Sequence, residues 1–289
     1  MRSIFSFLIM FCVSLNGMGT QILTLPSSAH ELTIGSHATL PGLFPINPAL
    51  FTAASTNNPY LMINRGNWYG DISLTQIGYN TLSKNKVIHM GLKYAGLTDL
   101  EFRDEIPKDD AISIFSAYGL IADAGVAFKN ENQRYGLLIS FVQFGIYTEY
   151  SNGISFDLGY LYNMKNDYSF GISVKHIGKM TRLNSSSPKL PSRLSLGFSK
   201  KINFNSINNK IFCSYDWNSI ASSSKVHLGN KFSWNRIDIL AGYSVSENVS
   251  ESSLGIGLNL NRYQLTYGTK FGSQGIGQPK ILSINILMP

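Results

Sequence analysis

The chain predicts an all-β protein, an antiparallel transmembrane barrel of about 14 strands preceded by an N-terminal segment that lies outside the strand pattern. Three observations carry this. Residues from about Gly153 onward alternate apolar with small or polar side chains. No helical period competes with that alternation, and no apolar run of 18 or more residues follows the N-terminal stretch, so helical membrane spans are excluded while strands that hide in alternation are not. Residues 21–55 do not follow the pattern at all.

The elements follow in order. Arg2 precedes an apolar run from Ile4 to Leu15, too short for a span, followed by Asn16, Gly17 and Gly19. Residues 1–19 therefore read as a cleaved secretory signal peptide, which implies export. Cys12 does not make it a lipoprotein signal, because Phe11 stands where a small residue is needed. Cleavage leaves Cys213 as the single cysteine, so no internal disulfide is available, and its place among Ile211, Tyr215 and Trp217 makes it a small apolar residue on a buried or lipid-facing side.

Residues 20–55 form a separate N-terminal segment. Pro26, Pro41, Pro45 and Pro48 forbid one regular element across it. A short helix fits 29–34, and Pro48 suits the first turn of another with Asn47 as its N-cap. Residues 56–289 form the barrel. Strand patterns occur at 60–64, 68–79, 86–95, 111–118, 121–128 and 135–147, then repeatedly to the end, as in Ile154, Phe156, Leu158, Tyr160 and Tyr162 against Ser155, Asp157 and Gly159. About 230 residues at roughly 16 per strand and turn give about 14 strands, too many for a single sandwich. The longest interruptions, 98–110 and 179–191, read as surface loops.

Alternation alone fits a soluble secreted β-fold as well as a barrel. Gly, Ser, Asn and Thr at most alternate positions, and Tyr or Trp near strand ends (Tyr147, Tyr160, Tyr162, Tyr168, Trp217, Trp234), favour lipid. Against this, the chain ends Ile286-Leu287-Met288-Pro289 without the terminal aromatic of many bacterial barrels. The net charge of +7 is spread over Lys84, Lys86, Lys200, Lys201, Lys225, Lys231 and Lys270 in different strands and turns, which gives no nucleic-acid footprint.

Several segments together resemble the PorV/PorQ family. Leu25-Pro26-Ser27-Ser28-Ala29 ahead of Gly35, then Asn47-Pro48-Ala49-Leu50 leading into the first strands, is similar to that family's mature N-terminus, the Leu-Pro-Ser-Ser form being closest to PorQ. The likeness continues through Ser116-Ala117-Tyr118, the run from Ser151 to Tyr160, the run from Phe170 to Gly178, and Leu190-Pro191-Ser192-Arg193-Leu194-Ser195-Leu196-Gly197. Two departures stand out. Ser36 to Gly42 replaces an Asp-rich stretch, and the aromatic-ended last strand is missing.

The resemblance implies a non-enzymatic outer-membrane barrel related to the FadL long-chain fatty-acid channels, with 14 strands and its N-terminal segment, residues 20–55, folded into the lumen as a plug, which agrees with the irregular, proline-broken pattern of that segment. It implies a binding or scaffolding role in type IX protein secretion and cell-surface attachment. The implied partners are outer-membrane lipid, other secretion or attachment proteins and secreted cargo. The alternative is a FadL-like channel taking up long-chain fatty acids or other hydrophobic small molecules. Leu25, Pro26, Ser27, Ser28, Gly35, Asn47, Pro48, Ala49 and Leu50 are the expected lumen contacts. Asp99, Glu101, Asp104, Glu105, Asp109 and Asp110 are expected loop contacts.

No catalytic, metal or cofactor site is expected. His30, His37, His89, His176 and His227 lie in separate segments without metal-ligand spacing, and no nucleophile motif such as Gly-x-Ser-x-Gly occurs. The acidic group around Asp99 lacks the spacing of a calcium loop and is interrupted by Arg103 and Lys108. Gly255-Ile256-Gly257 lies inside a strand pattern and reads as close strand packing rather than a phosphate loop.

Overall fold

A computed structural model describes residues 20–53, 58–103, 111–184, 186–204, 206–220, 223–272 and 277–289. Fourteen antiparallel strands close into one barrel, each paired with its sequence neighbours and β1 with β14. They are β1 (Tyr60–Asn67), β2 (Ser73–Ser83), β3 (Lys86–Phe102), β4 (Ser113–Asn130), β5 (Gln133–Ile146), β6 (Glu149–Asn163) and β7 (Tyr168–Met180). The second half comprises β8 (Arg193–Phe204), β9 (Ile207–Asn218), β10 (Ser223–Trp234), β11 (Ile237–Ser246), β12 (Ser250–Leu260), β13 (Tyr263–Gly272) and β14 (Lys280–Leu287). One short helix, α1 (Ala29–Ile34), precedes them.

The two ends of the barrel differ. At the end holding Tyr60 and Leu287, connections are two to four residues long, and Lys84, Glu131, Asn235 and Asn261 take positive φ in two-residue turns. This is the turn end. The connections at the opposite, loop end run to twelve residues, 181–192.

The greasy face points outward. Ile77, Met90, Leu92, Ile139, Ile154, Leu158, Ile211, Leu228, Ile239, Leu254, Ile256 and Leu282 are exposed, whereas their strand neighbours Gln76, His89, Ser140, Asp157, Ser214, His227, Asp238, Ser253 and Ser283 are buried. An apolar exterior over a polar interior is the inverse of a soluble core and matches a wall facing lipid. Outward aromatics gather towards both ends: Tyr135, Tyr162, Trp234 and Tyr263 at the turn end, and Tyr94, Tyr147, Trp217 and Tyr243 at the loop end. Cys213 lies on this exposed face.

Three sequence-based boundaries need correction. Residues 111–118 and 121–128 belong to one 18-residue strand, β4, because Gly119 and Leu120 remain paired to Phe144 and Gln143. Residues 68–79 begin not as strand but as a turn at Tyr69–Asp71, where Gly70 is left-handed at φ 69°, and β2 starts at Ser73. The loop expected from residue 98 starts later, since β3 continues to Phe102 after a bulge between Leu97 and Leu100, with Asp99 at φ 61°. Asp99 and Glu101 therefore sit on the loop-end extension of β3.

Candidate functional site

The site is the lumen and the segment that fills it. Residues 20–53 cross the barrel from one end to the other. At the loop end, Thr20 Oγ1 donates to Lys189 O at 2.6 Å. At the turn end, Asn80 Nδ2 donates to Thr52 O at 2.8 Å, and Met288 N donates to Pro59 O as the chain enters the wall.

Local chemistry sets the segment's shape. Ser28 caps α1 by accepting from Glu31 N at 3.2 Å, while Glu31 Oε2 reaches back to accept from Ser27 N, one residue before the cap, at 2.7 Å. Gly35 ends the helix at φ 102°, a conformation that suits glycine, with His227 against its open side. Asn47 then caps the short turn Pro48–Leu50, its Oδ1 accepting from Ala49 N at 3.0 Å and its Nδ2 donating to Ala38 O and Tyr160 O at 2.8 and 2.9 Å. Pro48 is tolerated there because the first-turn N–H lacks a partner in any case.

The wall satisfies this irregular backbone. Ser283 Oγ accepts from Ala29 N at 2.8 Å, Ser253 Oγ donates to Thr33 O at 2.6 Å, and Ser173 Oγ donates to Ile46 O at 2.9 Å. Lys93 Nζ donates to Leu25 O at 2.6 Å and Asn64 Nδ2 to Ser27 O. Non-helical backbone at membrane depth needs such partners, and the small polar residues between the apolar ones supply them.

Glycines make the room. Five cross-strand glycine pairs face inward: Gly78 with Gly91, Gly136 with Gly159, Gly171 with Gly197, Gly229 with Gly242, and Gly255 with Gly268. A methyl at these positions would run into Phe44, Asn47 to Ala49, Ala38, Ile34 or Thr33, against main chain at Gly136, Gly171, Gly197 and Gly242 and against side chains first at the others. The sequence reading marked Gly255 as close packing but missed the set. Its signal was a glycine at an inward position of each partner strand.

The expected lumen residues are thus distributed along the segment. Ser28, Ala49 and Leu50 are enclosed with Asn47 and Pro48, Gly35 ends α1, and Leu25 packs with Trp68, Ile72 and Phe144 against a loop-end apolar cluster that includes Ile22, Leu23 and Leu190. Of the acidic loop group, the described Asp99 and Glu101 make their polar contacts within their own strand extension instead. Asp99 accepts from Thr98 Oγ1, and Glu101 pairs with Arg103 at 2.7 Å. Asp104, Glu105, Asp109 and Asp110 lie outside the described residues, as do residues 1–19.

Inward charges form pairs: Arg193 with Asp216, which also meets His227 at 3.0 Å; Lys225 and Lys270 with Glu251; and Lys175 with Asp157 at 3.5 Å. His37 Nε2 lies 3.0 Å from Ile34 O and its Nδ1 2.7 Å from Ser214 Oγ. This serine–histidine contact is 3 % and 1 % exposed respectively and stacked under Phe212, so it ties the segment to the wall without a substrate approach. Burial pushes the His37 imidazole down to about 3, keeping it neutral. Among the described residues, no group of three or more His, Cys, Asp or Glu is placed to hold a metal.

Two cavities flank the segment near the turn end. One of about 360 Å³ is lined by the apolar Leu43, Phe44, Met62 and Phe212 and by Lys201, Lys210 and Lys231. The other, about 430 Å³, lies against Phe51, Val87, Lys129 and Arg134.

No protein-family model matches the sequence, and no curated protein does. Solved structures share the fold. The CymD monoaromatic hydrocarbon channel superposes with a TM-score of 0.63 at 10 % identity, covering 90 % of this chain and 96 % of that one. The Pseudomonas putida toluene transporter TodX gives 0.60 at 11 % identity, with 89 % and 96 % covered. A Pseudomonas aeruginosa FadL homologue gives 0.56 at 10 % identity, with 91 % and 99 % covered.

Proposed function

We propose that the protein is an outer-membrane conduit for small hydrophobic molecules, with residues 20–53 as its movable obstruction and the turn end facing the periplasm. The observation that carries this is a lumen closed by one continuous segment that belongs to no strand. That segment is held by separate polar contacts and flanked by ligand-sized cavities. Likeness in fold to solved hydrocarbon channels supports the same reading. Short turns on the periplasmic side and longer loops outside are the usual arrangement of such barrels.

The test joins the segment to the wall. In a Cys213→Ala background, a disulfide between Ala29→Cys and Ser283→Cys locks α1 against β14, whose contact there is 2.8 Å. Uptake of a labelled aromatic hydrocarbon by cells should fall in the oxidised form and return on reduction. Uptake that is the same in wild type, locked protein and a deletion strain refutes the conduit.

A second reading, scaffolding in type IX secretion and surface attachment as the PorV/PorQ resemblance implies, draws on the loop-end projection of β3 to β6. There Phe102, Ile112, Ile114, Tyr147 and Tyr150 are more than half exposed. It expects secreted cargo to accumulate in the periplasm of a deletion strain, and normal surface delivery would count against it.

A further inference from the structure

The lysines that look scattered in sequence converge in the fold. Lys201, Lys210 and Lys231 are direct register partners across β8, β9 and β10, so their side chains stand in one row on the inner wall. Like charges placed directly opposite one another destabilise a sheet. Lys231 is offset by Asp238 at 2.9 Å. Among the described residues no carboxylate pairs with Lys201 or Lys210; Lys210 Nζ reaches only Thr39 O at 3.4 Å and lies 5.0 Å from the Phe212 ring. Elsewhere in the lumen the cations Lys175, Arg193, Lys225 and Lys270 each have a carboxylate. Lys93, deeper along the wall and likewise without a paired carboxylate among the described residues, is held by Leu25 O at 2.6 Å. The other cations without a carboxylate gather at the turn end, where Lys129 and Arg134 form another register pair and Arg134 Nε is buried without an acceptor.

The row borders the cavity of about 360 Å³, whose other walls carry Phe44, Phe212, Pro45, His37 and Met62. Glu31 also lines it, but its two oxygens are taken by Ser27 N and Ser36 Oγ. Rings and apolar side chains share the lining with uncompensated ammonium groups, Lys210 standing over the Phe212 ring, in a compact volume of ordinary ligand size. We infer that this vestibule is a binding site for a compact aromatic anion. Its carboxylate, or an equivalent anionic group, is held by Lys201 and Lys210, and its ring lies against Phe44 and Phe212. The inference rests on the conduit reading only for how the ligand arrives; the site itself stands on the lysine row and the cavity.

The test uses the full barrel in lipid nanodiscs and fluorescence titration with 2-naphthoate, its neutral analogue 2-naphthylmethanol, and inorganic phosphate as competitor. Charge-assisted hydrogen bonds lost from Lys201→Gln/Lys210→Gln should weaken naphthoate by about tenfold or more. Naphthylmethanol should change by less than about twofold, and Lys200→Gln, on the outer face of the same strand, should leave both unchanged. Heat-modifiable gel mobility establishes that each variant is folded. Naphthoate binding that ignores the double substitution, or that is no tighter than binding of naphthylmethanol, overturns the proposal. Phosphate competing as strongly as unlabelled naphthoate overturns the aromatic part. Lysine-dependent binding alongside failed hydrocarbon uptake sinks the conduit and leaves the site, while the reverse pattern does the opposite.

Discussion

Replacing Asn47 by alanine should open the turn-end half of the lumen without unfolding the barrel. Asn47 is fully buried, and its side chain makes three hydrogen bonds, to Ala38 O, Tyr160 O and Ala49 N. Each contributes on the order of 1 kcal/mol net, and the deletion also leaves buried carbonyls without a donor, so the local loss is about 3 kcal/mol. None of the three is a ladder bond between strands, so the loss falls on residues 38–53 and not on the wall. About 3 kcal/mol raises the population of a locally open state by roughly a hundredfold. Hydrogen exchange read by mass spectrometry in detergent should show peptides spanning 38–53 exchanging faster by about that factor. Strand peptides and heat-modifiable mobility should stay as in the wild type. Unchanged protection of 38–53 would refute the reasoning, as would a uniform loss of protection across the strands.

Other perturbations test neighbouring steps. Gly242→Val places a branched side chain against Thr33 O, so it should displace α1 and increase uptake or protease access while the barrel still folds; normal protection of 29–34 would contradict the close approach. Asp216→Asn leaves the Arg193 guanidinium buried without its carboxylate, and the urea unfolding midpoint should drop by the equivalent of about 3 kcal/mol. Ile256→Arg, on the outer face at 58 % exposure, should cost about 2–4 kcal/mol in refolding into liposomes, whereas a soluble exterior would tolerate it. His37 is held neutral when folded, with its value lowered from 6.5 to about 3, so the unfolded chain binds the extra proton between those limits. Stability of the segment should therefore fall as pH drops from about 6.5 towards 3, and His37→Gln should flatten that slope in exchange protection.

Much of the barrel is legible because a strand's period is written directly into its residues. Ile154 to Tyr162 can only be a two-faced strand, and dividing the roughly 230 residues of such pattern by about 16 per strand and turn reaches about 14. What periodicity leaves open is which face meets solvent, and the structure answers this through the burial of Ser253 and Asp238 beneath exposed Leu254 and Ile239. The caps at Ser28 and Asn47 are equally legible, since they depend on residues two or three positions apart. The lysine row and the glycine pairs are not. Lys201, Lys210 and Lys231 become neighbours only through register, and register depends on turn length: the two-residue connection between β8 and β9 puts Phe204 opposite Ile207 and so fixes Lys201 against Lys210, while the β9–β10 pairing sets Lys210 against Lys231. The bulge at His176, with φ 58° and its N–H donated to Asp157 at 2.7 Å, is likewise a product of pairing that no local motif announces.

The way the segment is held bears on whether it can move. Its apolar residues are not gathered into one core but split into five clusters, the largest at the loop end, where Ile22, Leu23, Ala29 and Leu32 pack with Leu74, Ile121 and Val142, and four smaller ones: Ile34 and Leu40 with Phe212 and Leu240, Leu43 and Phe44 with Met62, Ala49 and Leu50 with Leu161, and Phe51 with Ala127 and Leu138. A single core would release all its burial energy at once and so resist partial opening. Separate clusters, each joined to the wall by one or two hydrogen bonds worth on the order of 1 kcal/mol, can be released one after another. The strand ladder that closes the barrel is independent of them, because every strand is paired with both neighbours. A wall that stands alone and a filling held in instalments is the combination that lets a lumen open while its barrel persists.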